Sequence, residues 1–164
     1  EINNKFNLIK NNTLVIELGA DPGSWSQFIS RNFNNSKISS MDLKDIEPIK
    51  NLVHIKGDFT DEKHKKNIKN YFGKKVDLII SDMAVNTTGN KSVDALVTGE
   101  LCIDARNFGV ELLNKRGSVI SKLFMGASFN EILELCKQSH LDVDSFNRPS
   151  SRKDLTENFI FDDN

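Results

Sequence analysis

The sequence has little of several features that would assign it to a special class of protein. Only two cysteines, Cys102 and Cys136, occur among 164 residues, and their spacing fits neither a disulfide framework nor a metal site. Such cysteine usage favours a reduced, cytoplasmic setting. No apolar run approaches the roughly 20 residues that a membrane-spanning helix needs, and the polar start at residues 1–5 has no signal-peptide pattern. We therefore expect no membrane partner.

Net charge is also small. The formal net charge is −1 and the sequence pI is about 6.4, so the chain lacks the strongly basic balance of many nucleic-acid binders. Any binding of nucleic acid must then depend on local patches of charge. The length suits one domain, at roughly 100–200 residues per domain, and no repeat or low-complexity linker divides the chain. We predict a single domain over residues 1–164.

Short apolar runs alternate with longer mixed segments along the chain. Strands are predicted over residues 13–18, 37–41, 52–56, 76–80, 117–124, 141–146 and 158–161. Helices are predicted over residues 22–33, 60–72, 92–114 and 128–139. This alternation predicts an α/β fold with a mostly parallel sheet and helices on both faces. The last two strands have no helical pattern between them, so we expect that pair to be antiparallel.

Three predicted strand ends carry residues that suit an adenosine-containing ligand. After the first strand, Gly19 allows a tight turn, and Gly23 allows close backbone approach to a ligand at a helix start. Asp42 follows the second strand, 23 residues after Gly19, where an acid can accept hydrogen bonds from ribose hydroxyls. Asp58 closes the third strand, where it could face an adenine. Ligands of such sheets bind at the carboxyl ends of the strands.

Each of these residues also has a purely structural interpretation. The two glycines could simply form a turn, and Asp42 or Asp58 could cap a following helix. Trp25, at the start of the predicted helix, could pack in the core and not against a cofactor.

A lysine and an aspartate mark the ends of two later strands. Lys122 lies within an apolar strand, where its charge is costly to bury without a partner, although it could also extend to solvent. Asp82 follows the fourth strand and should lie on an adjacent strand end, so the two form a candidate functional pair. A lysine run is predicted to be a solvated helix face: Lys63, Lys65, Lys66, Lys69, Lys74 and Lys75.

At this level of detail the chain resembles the FtsJ/RrmJ family of RNA ribose 2′-O-methyltransferases. The matching segments, in order, are Leu18-Gly-Ala-Asp-Pro-Gly-Ser-Trp-Ser-Gln27, Gly57-Asp-Phe59, Ser81-Asp-Met-Ala-Val-Asn-Thr-Thr-Gly89, Lys122-Leu-Phe-Met-Gly126, and Arg148-Pro-Ser-Ser-Arg152 with Glu157. The resemblance covers nearly the whole chain. It implies a Rossmann-like methyltransferase fold with a mostly parallel seven-stranded sheet and a final antiparallel strand.

The resemblance also implies a cofactor and a catalytic set. The cofactor is S-adenosylmethionine, with no metal, and its contacts would come from the Gly19 loop and from Gly23, Trp25, Asp42, Asp58 and Asp82. A Lys-Asp-Lys-Glu tetrad would be catalytic, with Asp82, Lys122 and Glu157 as its last three members. Its first lysine would precede Glu1, so we expect the sequence to lack its native N-terminal segment.

The function expected from the resemblance is 2′-O-methylation of a ribose, in a uridine, in large-subunit (23S-type) ribosomal RNA. The expected partner is that RNA or the large ribosomal subunit, and the protein is expected to be a cytoplasmic monomer. Three basic residues around a turn, Arg148, Arg152 and Lys153, are candidate RNA contacts, although an exposed loop explains them equally well. The alternatives are the same chemistry on tRNA or an mRNA cap, or a non-catalytic module that kept the fold.

Overall fold

The fold is described from a computed structural model of the chain. The structure describes residues 3–4, 7–83, 88–124, 130, 134, 144–147 and 157–163. Among these residues, the strands are β1 (Leu14–Leu18), β2 (Lys37–Asp42), β3 (Leu52–Lys56), β4 (Val76–Ser81), β5 (Leu113–Phe124), β6 (Asp144–Asn147) and β7 (Glu157–Asp163). The helices are α1 (Ser24–Asn32), α2 (Glu62–Phe72) and α3 (Lys91–Val110).

The described strands form one sheet in the order β3-β2-β1-β4-β5-β7-β6. Strands β1 to β5 are mutually parallel, which confirms the α/β methyltransferase-type architecture with a parallel sheet. β7 pairs antiparallel with both β5 and β6. The chain leaves β1 toward β2 and β3 on one side and returns to β4 and β5 on the other. This reversal brings the carboxyl ends of β1 and β4 together, where ligands of such sheets bind.

The central parallel strands β1 and β4 are largely buried on both faces, as the helical crossovers require, whereas the edge strand β3 is only partly buried. Alternate residues of a strand point to opposite faces. In β1, Ile16 belongs to a core cluster that includes residues of α2 and α3, such as Ile68 and Phe108. Val15 belongs to the cluster on the other face, with Ile29 of α1. The near-continuous apolar runs of the sequence therefore reflect strands that are covered on both sides.

Several predicted boundaries differ from the observed ones. The helix predicted over 92–114 ends at Val110, and Leu113 already begins β5 by pairing with Val76. Leu112 and Leu113 continue the apolar pattern of the helix, which is why the pattern did not reveal its end. The predicted helix over 128–139 lies almost wholly outside the described residues.

One lysine of the predicted solvated face of α2 is buried. Lys65 is only 9% exposed, and its Nζ lies 3.4 Å from the Glu111 carboxylate and 5.9 Å from the centre of the Phe108 ring. The interpretation of the whole run as a solvated face is therefore wrong at this position. The aliphatic stem of a lysine can cover apolar surface while its ammonium group meets an acid.

Candidate active site

The loop after β1 contains two glycines in the left-handed region of backbone conformation. Gly19 has a φ of +73° and Gly23 a φ of +96°, which side chains rarely tolerate. A Cβ at Gly19 would lie 2.7 Å from the backbone N and Cα of Met83, just beyond β4. At Gly23, which precedes α1, a Cβ would lie 3.1 Å from Ile49 Cδ1. The tight turn is confirmed, and the observed close approach is by this chain's own residues.

A buried carboxyl group that the sequence analysis missed lies behind this loop. Glu17 of β1 is 1% exposed, and it accepts hydrogen bonds from the backbone N–H and the hydroxyl of Ser26 in α1. Burial raises the pKa of Glu17 to about 7; the Asp82 charge adds to the rise, and the hydrogen bonds from Ser26 oppose it. A glutamate within an apolar strand is the same signal that singled out Lys122.

Asp42, at the end of β2, joins two loops at the carboxyl edge of the sheet. Its carboxylate accepts hydrogen bonds from the backbone N–H of Asp21 (3.0 Å) and of Lys44 (2.9 Å). The Lys44 Nζ also lies 2.9 Å from an oxygen of the Asp21 carboxylate. Asp42 therefore caps the turn after its own strand and fastens that turn to the glycine loop; it does not cap a described helix.

Asp58 lies at the next strand end and is exposed. Its Oδ1 accepts hydrogen bonds from the backbone N–H (2.9 Å) and the hydroxyl (2.8 Å) of Thr60. These bonds lower the pKa of Asp58, and the neighbouring His64 contributes in the same direction. The cap of α2 is Asp61, whose carboxylate accepts from the Lys63 N–H. The helix-cap alternative for Asp58 is therefore wrong.

The predicted pairing of Asp82 with Lys122 is confirmed. Lys122 Nζ lies 2.5 Å from Asp82 Oδ1 and donates to the Asp82 carbonyl oxygen at 3.0 Å. The pair follows from the register, because Ser81 and Ser121 face each other across β4 and β5. The Asp82 N–H donates to the Leu18 carbonyl, which fixes it against the end of β1. The Lys122 side chain is 12% exposed and the Asp82 side chain 28%, so the ion pair is partly exposed.

Glu157 begins β7, and its backbone pairs with Phe124 of β5. Lys122 pairs with Phe159, two residues farther along β7. A strand rises about 3.3 Å per residue, so Glu157 lies roughly 7 Å along β7 from the partner of Lys122. The three residues predicted to be catalytic are therefore brought to neighbouring strand ends of the sheet. Arg148, Arg152 and Lys153 lie outside the described residues.

A second buried acid, also missed from the sequence, holds Thr88. The Asp94 carboxylate in α3 accepts hydrogen bonds from the backbone N–H and the hydroxyl of Thr88, both at 2.8 Å. These bonds lower the pKa of Asp94, with the backbone N–H as the largest cause. Asp94 therefore fixes Thr88 against the first turns of α3.

Trp25, the other predicted cofactor contact, is the second residue of α1. Its ring is partly buried and packs against the cluster that contains Ile29, Ile38 and Ile80. The core interpretation accounts for this packing, and a cofactor contact stays a prediction. Within the described ranges, no three His, Cys, Asp or Glu side chains are grouped as a metal site would require. None of the helices described is long and apolar enough to cross a membrane.

Known proteins resemble this chain in sequence and in structure. A sequence model of the FtsJ-like methyltransferase family matches residues 1–163. Ribosomal RNA large subunit methyltransferase E of Pelagibacter ubique is 52% identical over 160 residues, which is 98% of this chain and 79% of that protein. The protein of the same name from Brucella ovis is 35% identical, covering 98% of this chain and 68% of its own length.

Solved structures agree with these sequence relatives. A crystal structure from Plasmodium falciparum, assigned as a ribosomal RNA methyltransferase, has a TM-score of 0.82 and 28% identity, covering 99% of this chain and 92% of that one. A Streptococcus mutans protein assigned as a methyltransferase, solved with SAH, has a TM-score of 0.62 and 15% identity, covering 100% of this chain and 96% of that one; it shows the fold alone. With its strand order, its Asp82–Lys122 pair and a family match over residues 1–163, this chain belongs to the FtsJ-like methyltransferases.

Proposed function

We propose that this protein transfers the methyl group of S-adenosylmethionine to a ribose 2′ hydroxyl in large-subunit (23S-type) ribosomal RNA, with a uridine as the expected target, acting in the cytoplasm. The observation that carries the proposal is the Lys122–Asp82 pair at the carboxyl ends of β4 and β5. A partly exposed ion pair beside a predicted cofactor loop suits stabilisation of the negative charge that develops on a hydroxyl as it is methylated. The names of the Pelagibacter and Brucella relatives support the choice of RNA.

The described residues fit the cofactor. Each oxygen of the Asp42 carboxylate accepts one hydrogen bond from a backbone N–H, and a carboxylate oxygen can accept two. Asp42 therefore keeps capacity for the two hydroxyls of a ribose. The described hydrogen bonds of Asp58 go to Oδ1 alone, which leaves Oδ2 for a further donor. When bound, the cofactor would supply an activated methyl group.

The chain's own residues would then prepare the hydroxyl. Methyl transfer would form an O–C bond, break the bond between the methyl carbon and the sulfonium sulfur with S-adenosylhomocysteine as the leaving group, and release the hydroxyl proton. A group must therefore accept that proton or stabilise the developing negative charge. Lys122 Nζ can accept the proton when its amine is neutral, or it can stabilise the developing alkoxide as the ammonium group of the ion pair while the proton leaves to solvent. Asp82 fixes its position through two contacts. Alignment of hydroxyl and methyl group contributes a large share of the rate in such reactions.

Replacing the lysine tests this mechanism. We expect Lys122→Ala to lower methyl transfer at least about 100-fold, the lower range for loss of acid–base catalysis, while affinity for S-adenosylhomocysteine stays within about threefold. Transfer is measured with labelled cofactor and ribosomal RNA or large subunits. A 2′-O-methylated ribose resists alkaline cleavage of its phosphodiester, so mapping of resistant bonds identifies both the position and the chemistry.

A matched control is Lys115→Ala, because Lys115 is an exposed lysine at the opposite end of the same strand. It should methylate normally. Near-normal turnover by Lys122→Ala would contradict the mechanism. Transfer to tRNA alone would contradict ribosomal RNA as the substrate. The absence of transfer to any RNA would favour a non-catalytic module.

A further inference from the structure

A histidine outside the proposed set of catalytic and cofactor contacts holds the turn that follows Asp42. His54 of β3 lies directly opposite Ser40 of β2. Its Nδ1 lies 2.9 Å from the Ser40 hydroxyl, and its Nε2 lies 2.9 Å from the Lys44 carbonyl oxygen. Because a carbonyl can only accept, Nε2 carries a hydrogen and donates to Lys44, while Nδ1 forms the hydrogen bond with the Ser40 hydroxyl. The ring thus connects a buried strand residue to the main chain of the turn.

Lys44 transmits this connection to the carboxylate of Asp42. The Lys44 N–H donates to Asp42 Oδ1, and the Lys44 ammonium group pairs with Asp21, whose own N–H donates to Asp42 Oδ2. The three residues form a closed group at the edge of the cofactor loop. Lys44 and Asp21 are exposed, whereas Ser40 is fully buried. His54 therefore links this otherwise exposed group to a rigid part of the sheet.

We propose that His54 is a positioning residue for cofactor binding, which holds the Asp42 carboxylate in the orientation that accepts the ribose hydroxyls. The inference rests on the proposed function, in which Asp42 binds the ribose. A carboxylate that is already oriented loses less conformational freedom when the ligand binds, so affinity is higher.

The position of His54 in the sheet separates this role from catalysis. β2 and β5 are separated by β1 and β4, so three strand spacings place Asp42 roughly 14 Å from the strand of Lys122. A disturbance at Asp42 should therefore change the binding of the cofactor and leave the methyl-transfer step unchanged.

Two substitutions at His54 test the proposal. His54→Phe keeps a planar ring suited to a strand but loses both hydrogen bonds, whereas His54→Gln keeps an N–H donor near the position of Nε2. We expect the Kd of S-adenosylhomocysteine, measured by titration calorimetry, to rise about three- to tenfold in His54→Phe, as for loss of roughly one hydrogen bond. His54→Gln should recover most of the affinity, and kcat at saturating cofactor should stay within about twofold in both.

Ser40→Ala removes the partner at the other end of the ring and should also weaken binding, by a smaller factor. This variant provides a second test if His54→Phe fails to fold. Val53→Ala is the matched control, since Val53 is an exposed neighbour on the same strand. Amide hydrogen exchange at Lys44 should be faster in His54→Phe than in this control, because the turn has lost its link to the sheet.

Unchanged affinity in both His54→Phe and Ser40→Ala would overturn the proposal. A loss of kcat without a change in Kd would also overturn it. An equal loss of affinity in Val53→Ala would overturn it as well, because it would indicate general destabilisation. Failure of the unsubstituted protein to bind S-adenosylhomocysteine would instead overturn the proposed function itself, so the two failures are distinguishable.

Discussion

Three largely buried charged side chains in and beside the sheet each have a specific partner, and the cost of burying a charge explains why. Glu17 accepts two hydrogen bonds from Ser26, Asp94 accepts two from Thr88, and Lys122 pairs with Asp82. An unpaired charge in such a position would be costly or would become neutral. A charged residue inside an apolar strand is therefore a usable sequence signal, although its partner is not.

Glu17 should make stability depend on pH. Its pKa is raised from 4.5 to about 7 by burial, so the folded protein binds this proton more tightly than the unfolded chain does. The stabilising contribution is complete below pH 4.5 and is lost as the pH rises to about 7. By linkage, the loss amounts to about 3 kcal/mol.

Glu17→Gln removes this titration and can still accept from Ser26. We expect the free energy of unfolding of the variant, measured relative to that of the unsubstituted protein, to be higher at pH 8 than at pH 5. Urea unfolding of both proteins at the two pH values measures this difference. Glu47→Gln, at an exposed glutamate, is the control and should show no such gain. Parallel pH profiles for Glu17→Gln and the unsubstituted protein would contradict the prediction.

At the scale of elements, the site depends on how closely the ends of β1 and β4 approach each other. Gly19 follows β1, and a Cβ on it would meet the backbone of Met83. Asp82 is held in the same place by the bond from its N–H to Leu18. The glycine therefore brings the proposed cofactor loop against the strand end that carries Asp82, the proposed catalytic aspartate.

Gly19→Ala should destabilise the protein by about 2–5 kcal/mol, through the left-handed conformation and the backbone clash together. Gly73→Ala is the matched control: Gly73 has a similar φ of +66°, but a Cβ there would meet nothing within 4 Å. That variant should lose only about 1–2 kcal/mol. Equal losses in denaturant unfolding would show that the contact with Met83 contributes nothing.

At the scale of the whole molecule, a net charge of −1 means that RNA affinity must come from local clusters. The number of phosphate contacts sets the slope of log affinity against log salt concentration. Measuring how RNA affinity changes with salt therefore tests the predicted RNA contacts of Arg148, Arg152 and Lys153.

Replacing these three residues by alanine should reduce the slope of log affinity against log salt by about 2–3. The control replaces three exposed lysines near α2, namely Lys63, Lys66 and Lys74, and should leave the slope nearly unchanged. A larger effect in the control than in the first variant would move the RNA surface to α2.

The sequence by itself determined the order of strands and helices and the pairing of Asp82 with Lys122. Apolar runs that must be buried on both faces specify parallel strands, and strand ends next to each other in such a sheet bring their residues together. The sequence was less informative about element boundaries where an apolar pattern continues across them, as at Leu112 and Leu113. It also did not reveal side-chain partners that are distant in the chain, such as Lys65 and Glu111.

Only the tertiary structure decided how the functional side chains are held. The Ser26 bonds to Glu17, the Thr88 bonds to Asp94 and the path from Ser40 through His54 to Lys44 all join residues whose contact depends on packing between elements. Local pattern specifies which residues face inward, because that depends on period alone. Which polar groups then meet depends on strand register and helix placement, which are properties of the whole fold.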